Sequence, residues 1–102
     1  MPDVTAILAS AEGFDWDQGN TTKDVLGHDV SPAEAEEIFF RAPVLVFDDT
    51  KHSERENRLL LYGSTRAGRC LTAAFTLRNK RIRVISVRDM SRKERRVYEQ
   101  AR

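Results

Sequence analysis

Arg66, Arg69, Arg81, Arg83 and Arg88 are the side chains of this sequence best suited to hold a phosphate. A guanidinium stays charged throughout the physiological pH range and binds phosphate oxygens two at a time. His52 is the natural proton-transfer group, because an unperturbed imidazole titrates near ~6.5. Lys51 and Lys23 can transfer protons only where neighbouring cations or burial lower their pKa; Glu54 and Glu56 are carboxylate alternatives. Tyr62 and Tyr98 offer rings on which a base can stack, although core packing is the commoner use of each. Any one of the arginines, taken singly, is as often a solvated surface residue.

Charge along the chain strengthens the phosphate reading. Residues 1–50 hold two basic and eleven acidic residues, whereas residues 51–102 hold fifteen basic and five acidic ones, so the halves carry −9 and +10. This predicts an acidic surface on one side and a phosphate-binding surface on the other, unless the halves interleave in space. With 102 residues, 40% of them hydrophobic and 32% charged, the composition fits one soluble domain built on one core. No apolar run reaches the roughly 18 residues that read as a membrane span. The first ten residues lack the basic start and apolar stretch of a secretory signal. Cys70 is the lone cysteine, which fits a reducing cytoplasm. Two histidines and one cysteine at no ligand spacing argue against a protein-built metal site, and no cofactor is expected.

Placing these residues requires the elements that carry them. The chain reads as a single domain over 1–102, with 1–12 a weakly ordered lead-in. Gly13 to Asp17 resembles a short strand ending at a helix cap, and a first helix is expected from Asp17 to Leu26. Gly19, Thr21 and Thr22 weaken that helix. Ser31-Pro32-Ala33-Glu34 is a capping box with Pro at the first helical position, opening a helix to about Phe40 that buries Ala35, Ile38 and Phe39. Strands follow at Val44 to Phe47, Asn57 to Gly63, Arg69 to Arg78 and Arg81 to Arg88. Ser91-Arg92-Lys93-Glu94 caps a short C-terminal helix. The order predicts an α+β domain, two N-terminal helices and one short C-terminal helix against a mainly antiparallel sheet. The helix-free sheet face can then meet a ligand.

Strand periodicity constrains the arginines further. On the last strand Arg81 and Arg83 share a face with Ile85 and Val87, and Ile82, Val84, Ser86 and Arg88 share the other. A bulge near the strand end would redirect Ser86 and Arg88. Arg83 is therefore the strongest candidate, with Arg81 beside it.

Phe14-Asp15-Trp16-Asp17, Asn20, Lys23, His28, Val30-Ser31, Glu34 to Glu37 and Phe39-Phe40 together resemble the BrnT toxin family. The resemblance continues at Lys51-His52-Ser53, Glu56, Arg58, Gly63, Gly68-Arg69, Phe75-Thr76 and Arg78. It is strongest at Ile82 to Ser86, Arg88-Asp89-Met90, Glu94-Arg95 and Tyr98. It implies a RelE-like fold and a growth-inhibiting bacterial ribonuclease, silenced by a cognate ribbon-helix-helix antitoxin. It also implies contact with DNA only through that antitoxin.

A metal-free ribonuclease must activate the ribose 2′-OH, stabilise the phosphorane and protonate the leaving 5′-oxygen. On that reading His52, Lys51, Glu54, Arg83 and Arg81 are catalytic, and Arg66, Arg69, Ser86, Arg88 and Lys23 bind RNA. His28 is read as a structural residue beside the second helix cap. The chain departs from the family pattern at Gly27-His28-Asp29, where Lys-His-Gly is usual, and at Asp24, where Asn is common. One cation is lost and two anions are gained, which bears on activity rather than fold. A catalytically weakened toxin-fold module acting through its antitoxin in transcriptional control is the second reading. A stand-alone nucleic-acid-binding domain is the third.

Overall fold

The computed structural model describes residues 4–27, 29–49, 51 and 57–101. Helices α1 (Val4–Ser10) and α2 (Pro32–Glu37) precede strands β1 (Leu45–Asp48), β2 (Leu59–Ser64), β3 (Cys70–Arg78) and β4 (Arg81–Asp89). Helix α3 (Arg92–Gln100) closes the chain. The strands form one antiparallel sheet in the order β1-β2-β3-β4. This is the α+β architecture the sequence predicts, and both capping boxes form, at Ser31–Glu34 and Ser91–Glu94.

Helix α2 packs on one sheet face. Ala35, Ile38 and Phe39 are fully buried, and the Phe39 ring meets Phe75 edge-on at 5.1 Å. Val46, Leu61, Leu71, Ile82, Val84 and Val87 complete that core from the strands. Gly63 permits the close approach, since a Cβ there would lie 2.6 Å from the Ile38 carbonyl oxygen. The β3–β4 hairpin turns through Asn79 and Lys80, at φ 52° and 65°, the left-handed pair that a two-residue turn of type I′ needs.

The first helix lies elsewhere than expected. No helix forms over 17–26; α1 occupies Val4–Ser10, within the segment expected to be a weakly ordered lead-in. Residues 11–27 run beside the free edge of β4 instead. Phe14 pairs with Ile82 and Leu26 with Val87, both in parallel sense. Backbone bonds Asp15 N–H to Ile82 O (2.8 Å) and Gly27 N–H to Val87 O (2.8 Å) secure both ends. An uncovered β4 would expose a row of unpaired backbone groups. Covering it outweighs a helix already weakened by Gly19 and two threonines.

Candidate functional site

The face of the sheet opposite α2 gathers four of the predicted site residues. Strict alternation places Arg83 and Arg88 on opposite faces, but Ala74 pairs with Ser86 and Phe75 with Val84, leaving Ile85 as an extra residue. This β-bulge restarts the alternation. Ile82, Val84 and Val87 consequently all face the core at 1% exposure. Arg81, Arg83, Ser86 and Arg88 all lie on the outer face, level with Arg78, Thr76, Ala74 and Thr72 of β3 respectively. The expectation that Arg88 and Ser86 share a face with Ile82 and Val84 is thereby corrected.

Arg83 is not an open phosphate ligand. Its two terminal nitrogens donate to the two carboxylate oxygens of Asp17, at 3.0 Å each, and Asp15 lies 3.5 Å away. Asp17 is held there by its own turn, accepting the Gly19 N–H at 2.7 Å. Its hydrogen bonds from Arg83, then from the Gly19 N–H, hold the Asp17 carboxyl below the ordinary aspartate value. Arg83 in turn has its guanidinium pKa raised, chiefly by the Asp17 hydrogen bonds.

Arg88 is matched in the same way by α3. Its terminal nitrogens donate to Glu94 at 2.7 and 2.9 Å, and Thr72 donates its hydroxyl to the same carboxylate at 3.0 Å. These bonds, Arg88 first, then the Ser91 N–H and Thr72, lower the Glu94 pKa from 4.5 to about 2. A depressed carboxyl contributes its full stability above the unfolded value and loses it as pH falls through the folded one. The Glu94 contribution should therefore persist down to about pH 4.5 and vanish towards pH 2. Urea unfolding across that interval should show a steeper fall for the parent chain than for Glu94→Gln. Equal slopes would remove Glu94 from the account of acid stability.

Tyr98 anchors the same helix from full burial. Its hydroxyl donates to the Pro43 carbonyl at 2.8 Å and bonds Ser64 Oγ at 3.1 Å. Tyr98 is thus a core residue, whereas Tyr62 is half-buried on the outer face, its ring 4.9 Å from Phe47. Burial, then the Glu94 charge, pushes the Tyr62 hydroxyl pKa up.

The other predicted residues are scattered. Arg69 donates to both Asp89 oxygens at 2.9 and 3.1 Å and to the Asp29 carbonyl at 3.1 Å, and lies 3.9 Å from Glu34. It braces the sheet end to the start of α2 rather than joining Arg88. Arg66 stands exposed on the β2–β3 turn, its N–H donating to Glu37 at 2.7 Å. Lys23 lines an open cleft of about 470 Å³ with Thr22, Leu26, Gly27 and Asp29. Lys51 and Arg81 are exposed. His52, Glu54, Glu56 and His28 lie outside the described residues.

The expected separation of an acidic from a basic surface is also corrected. Arg83–Asp17, Arg83–Asp15 and Arg69–Glu34 join the two halves of the chain, so their charges partly interleave. Asp15, Asp17 and Glu94 are the residues that sequence reasoning missed as site partners. The capping box signals Glu94 as a cap, but nothing in the spacing signals its bond to Arg88. At the departures from the family pattern, Gly27 lies so close to β4 that a Cβ would sit 2.9 Å from the Val87 carbonyl. Asp29 adopts φ 54°, a conformation that suits the glycine usual there.

A family model for the BrnT ribonuclease toxin of type II toxin-antitoxin systems matches residues 16–94. The chain belongs to the BrnT toxin family. The match takes in residues 16–27 of the β4-edge segment, the whole sheet and Glu94, so the outer face of the sheet lies within it. A toxin of a BrnT system implies an antitoxin partner. A search of curated proteins found no match to the sequence. Among the described residues no helix is long and apolar enough to cross a membrane.

Proposed function

We propose that this BrnT-family chain is a metal-independent endoribonuclease of the cytoplasm, neutralised by a ribbon-helix-helix antitoxin through which alone it meets DNA. The observation that carries this reading is the bulge that gathers Arg81, Arg83, Ser86 and Arg88 on the side of β4 turned away from α2, the side on which α3 docks at the Arg88 end. Arg81 has no ion-pair partner among the described residues and supplies the charge for the phosphorane. Arg83, fixed by Asp15 and Asp17, positions the edge of β4 beside it. His52, with Lys51 and Glu54 on the same β1–β2 connection, moves the protons. The Asn57 carbonyl of that connection accepts from Thr76, the β3 partner of Arg83, which brings its end beside the arginines.

In this reaction the ribose 2′-oxygen loses its proton to the base and attacks the adjacent phosphorus. The bond to the 5′-oxygen breaks as that oxygen takes up a proton, leaving a 2′,3′-cyclic phosphate and a 5′-OH. Induced expression without the antitoxin should stop growth, and the purified chain should cut RNA to those ends in EDTA. Cleavage abolished by EDTA, or products carrying 3′-OH ends, would overturn this mechanism.

One observation favours the second reading of a weakened module. Arg83 and Arg88 are both matched to internal carboxylates, so neither meets a phosphate without giving up a bidentate bond. That reading predicts unimpaired growth on induction, together with antitoxin-dependent operator binding.

A further inference from the structure

We infer that the outer surface of α3 is the phosphate-binding surface of this chain for single-stranded RNA. The inference rests on the RNA reading above and relocates its electrostatics from the strands to the helix. The strand and turn cations expected to bind phosphate are largely consumed. Arg69, Arg83 and Arg88 each hold a carboxylate with two nitrogens. Breaking such a pair for a phosphate exchanges one charge-assisted bond for another, with little net gain.

Helix α3 differs on every count. Arg92, Lys93, Arg95 and Arg96 are exposed and form no ion pair among the described residues. Its two acids are Glu94, already bound to Arg88, and the exposed Glu99. The helix is docked through Glu94 and Tyr98, which occupy one side one turn apart. Arg92 and Arg96, also one turn apart, therefore point away from the sheet, with Arg95 on one flank and Glu99 between Arg95 and Arg96. Val97, 41% exposed, adds an apolar contact beside the cations. Three guanidinium groups and one ammonium without an ion-pair partner among the described residues outnumber the single exposed acid on this surface, Glu99, and suit the repeated charge of a nucleic-acid backbone. An acidic protein segment is the competing occupant, but a single-stranded RNA lying across α3 also continues onto the outer face where Arg88 and Tyr62 stand.

The test uses the full chain and a labelled 2′-O-methyl oligouridylate, which blocks cleavage, with affinity followed by anisotropy as salt is raised. Each phosphate neutralised on a single strand contributes about −0.7 to the log–log slope. Arg92→Gln/Arg95→Gln/Arg96→Gln should flatten the slope by about 2, and the corresponding Lys triple should restore most of it. Lys80→Gln, on the β3–β4 turn, should leave more of the slope intact than any single α3 change does. Glutamine matches arginine closely in helix propensity. Should the triple variant unfold, each single Arg→Gln change is expected to remove about 0.7 of slope. A parent chain that binds with a steep slope unchanged in the variants would overturn the α3 assignment while leaving the ribonuclease reading intact. Loss of antitoxin binding with RNA binding unchanged would overturn it in favour of the acidic partner. No RNA binding by the parent chain would also overturn it, and the cleavage assay in EDTA would then decide separately whether the ribonuclease reading survives.

Discussion

Asn20→Ala should destabilise the fold by about 2–3 kcal/mol, a fall in Tm of about 10–20 °C for a chain of this size. Asn20 is 2% exposed, and its amide does the work of a missing stretch of strand. Its nitrogen donates to the Asp15 carbonyl at 2.9 Å and the Val84 carbonyl at 3.1 Å. Its oxygen accepts the Asp17 N–H at 2.8 Å. Val84 lies beside the bulge, between the two points where residues 11–27 pair with β4. Alanine would leave three backbone groups without this partner, and a buried group left unpaired costs about 1–3 kcal/mol. The change should also loosen the turn that aims Asp17 at Arg83. Thermal unfolding followed by circular dichroism measures the effect. A Tm within about 3 °C of the parent would mean that water or a local shift replaces the amide.

The strands were legible because their signals are local and redundant. Alternating apolar residues, the Asn79-Lys80 turn and Ser-x-x-Glu caps each mark an element within a few residues. The β4-edge segment was not legible, because its conformation answers a demand made some sixty residues away. Asn20 bonds Val84 across a separation of 64 residues, and Arg83 bonds Asp17 across 66. Propensity scales contain no information on such partners. The outer face was legible in residue type but not in geometry. Period two is reliable only until a bulge, and although the strand allows one near its end, nothing in the sequence marks Ile85 as the extra residue. The charge split was visible as a count, yet only the fold decides which carboxylate finds which guanidinium.

Arg81→Ala and His52→Ala should each lower RNA cleavage by about 10²–10³-fold while leaving the Tm nearly unchanged. Arg81 is exposed and has no ion-pair partner among the described residues, so its removal takes away charge without opening a packing defect. Arg83→Ala should behave differently. Arg83 is 15% exposed at the side chain and ties Asp15 and Asp17 to β4, so alanine there should lower the Tm as well as the rate. The contrast separates a group that meets the phosphate from one that positions it. Arg83→Lys keeps the charge but not the two parallel bonds to Asp17, and should recover less stability than its charge alone suggests. Measuring cleavage at fixed salt together with Tm for all four variants distinguishes the roles. Full cleavage by both Arg81→Ala and His52→Ala would remove them from the mechanism. Loss of cleavage by Arg83→Ala at unchanged Tm would instead make Arg83 the phosphate ligand, with Asp17 displaced when RNA binds.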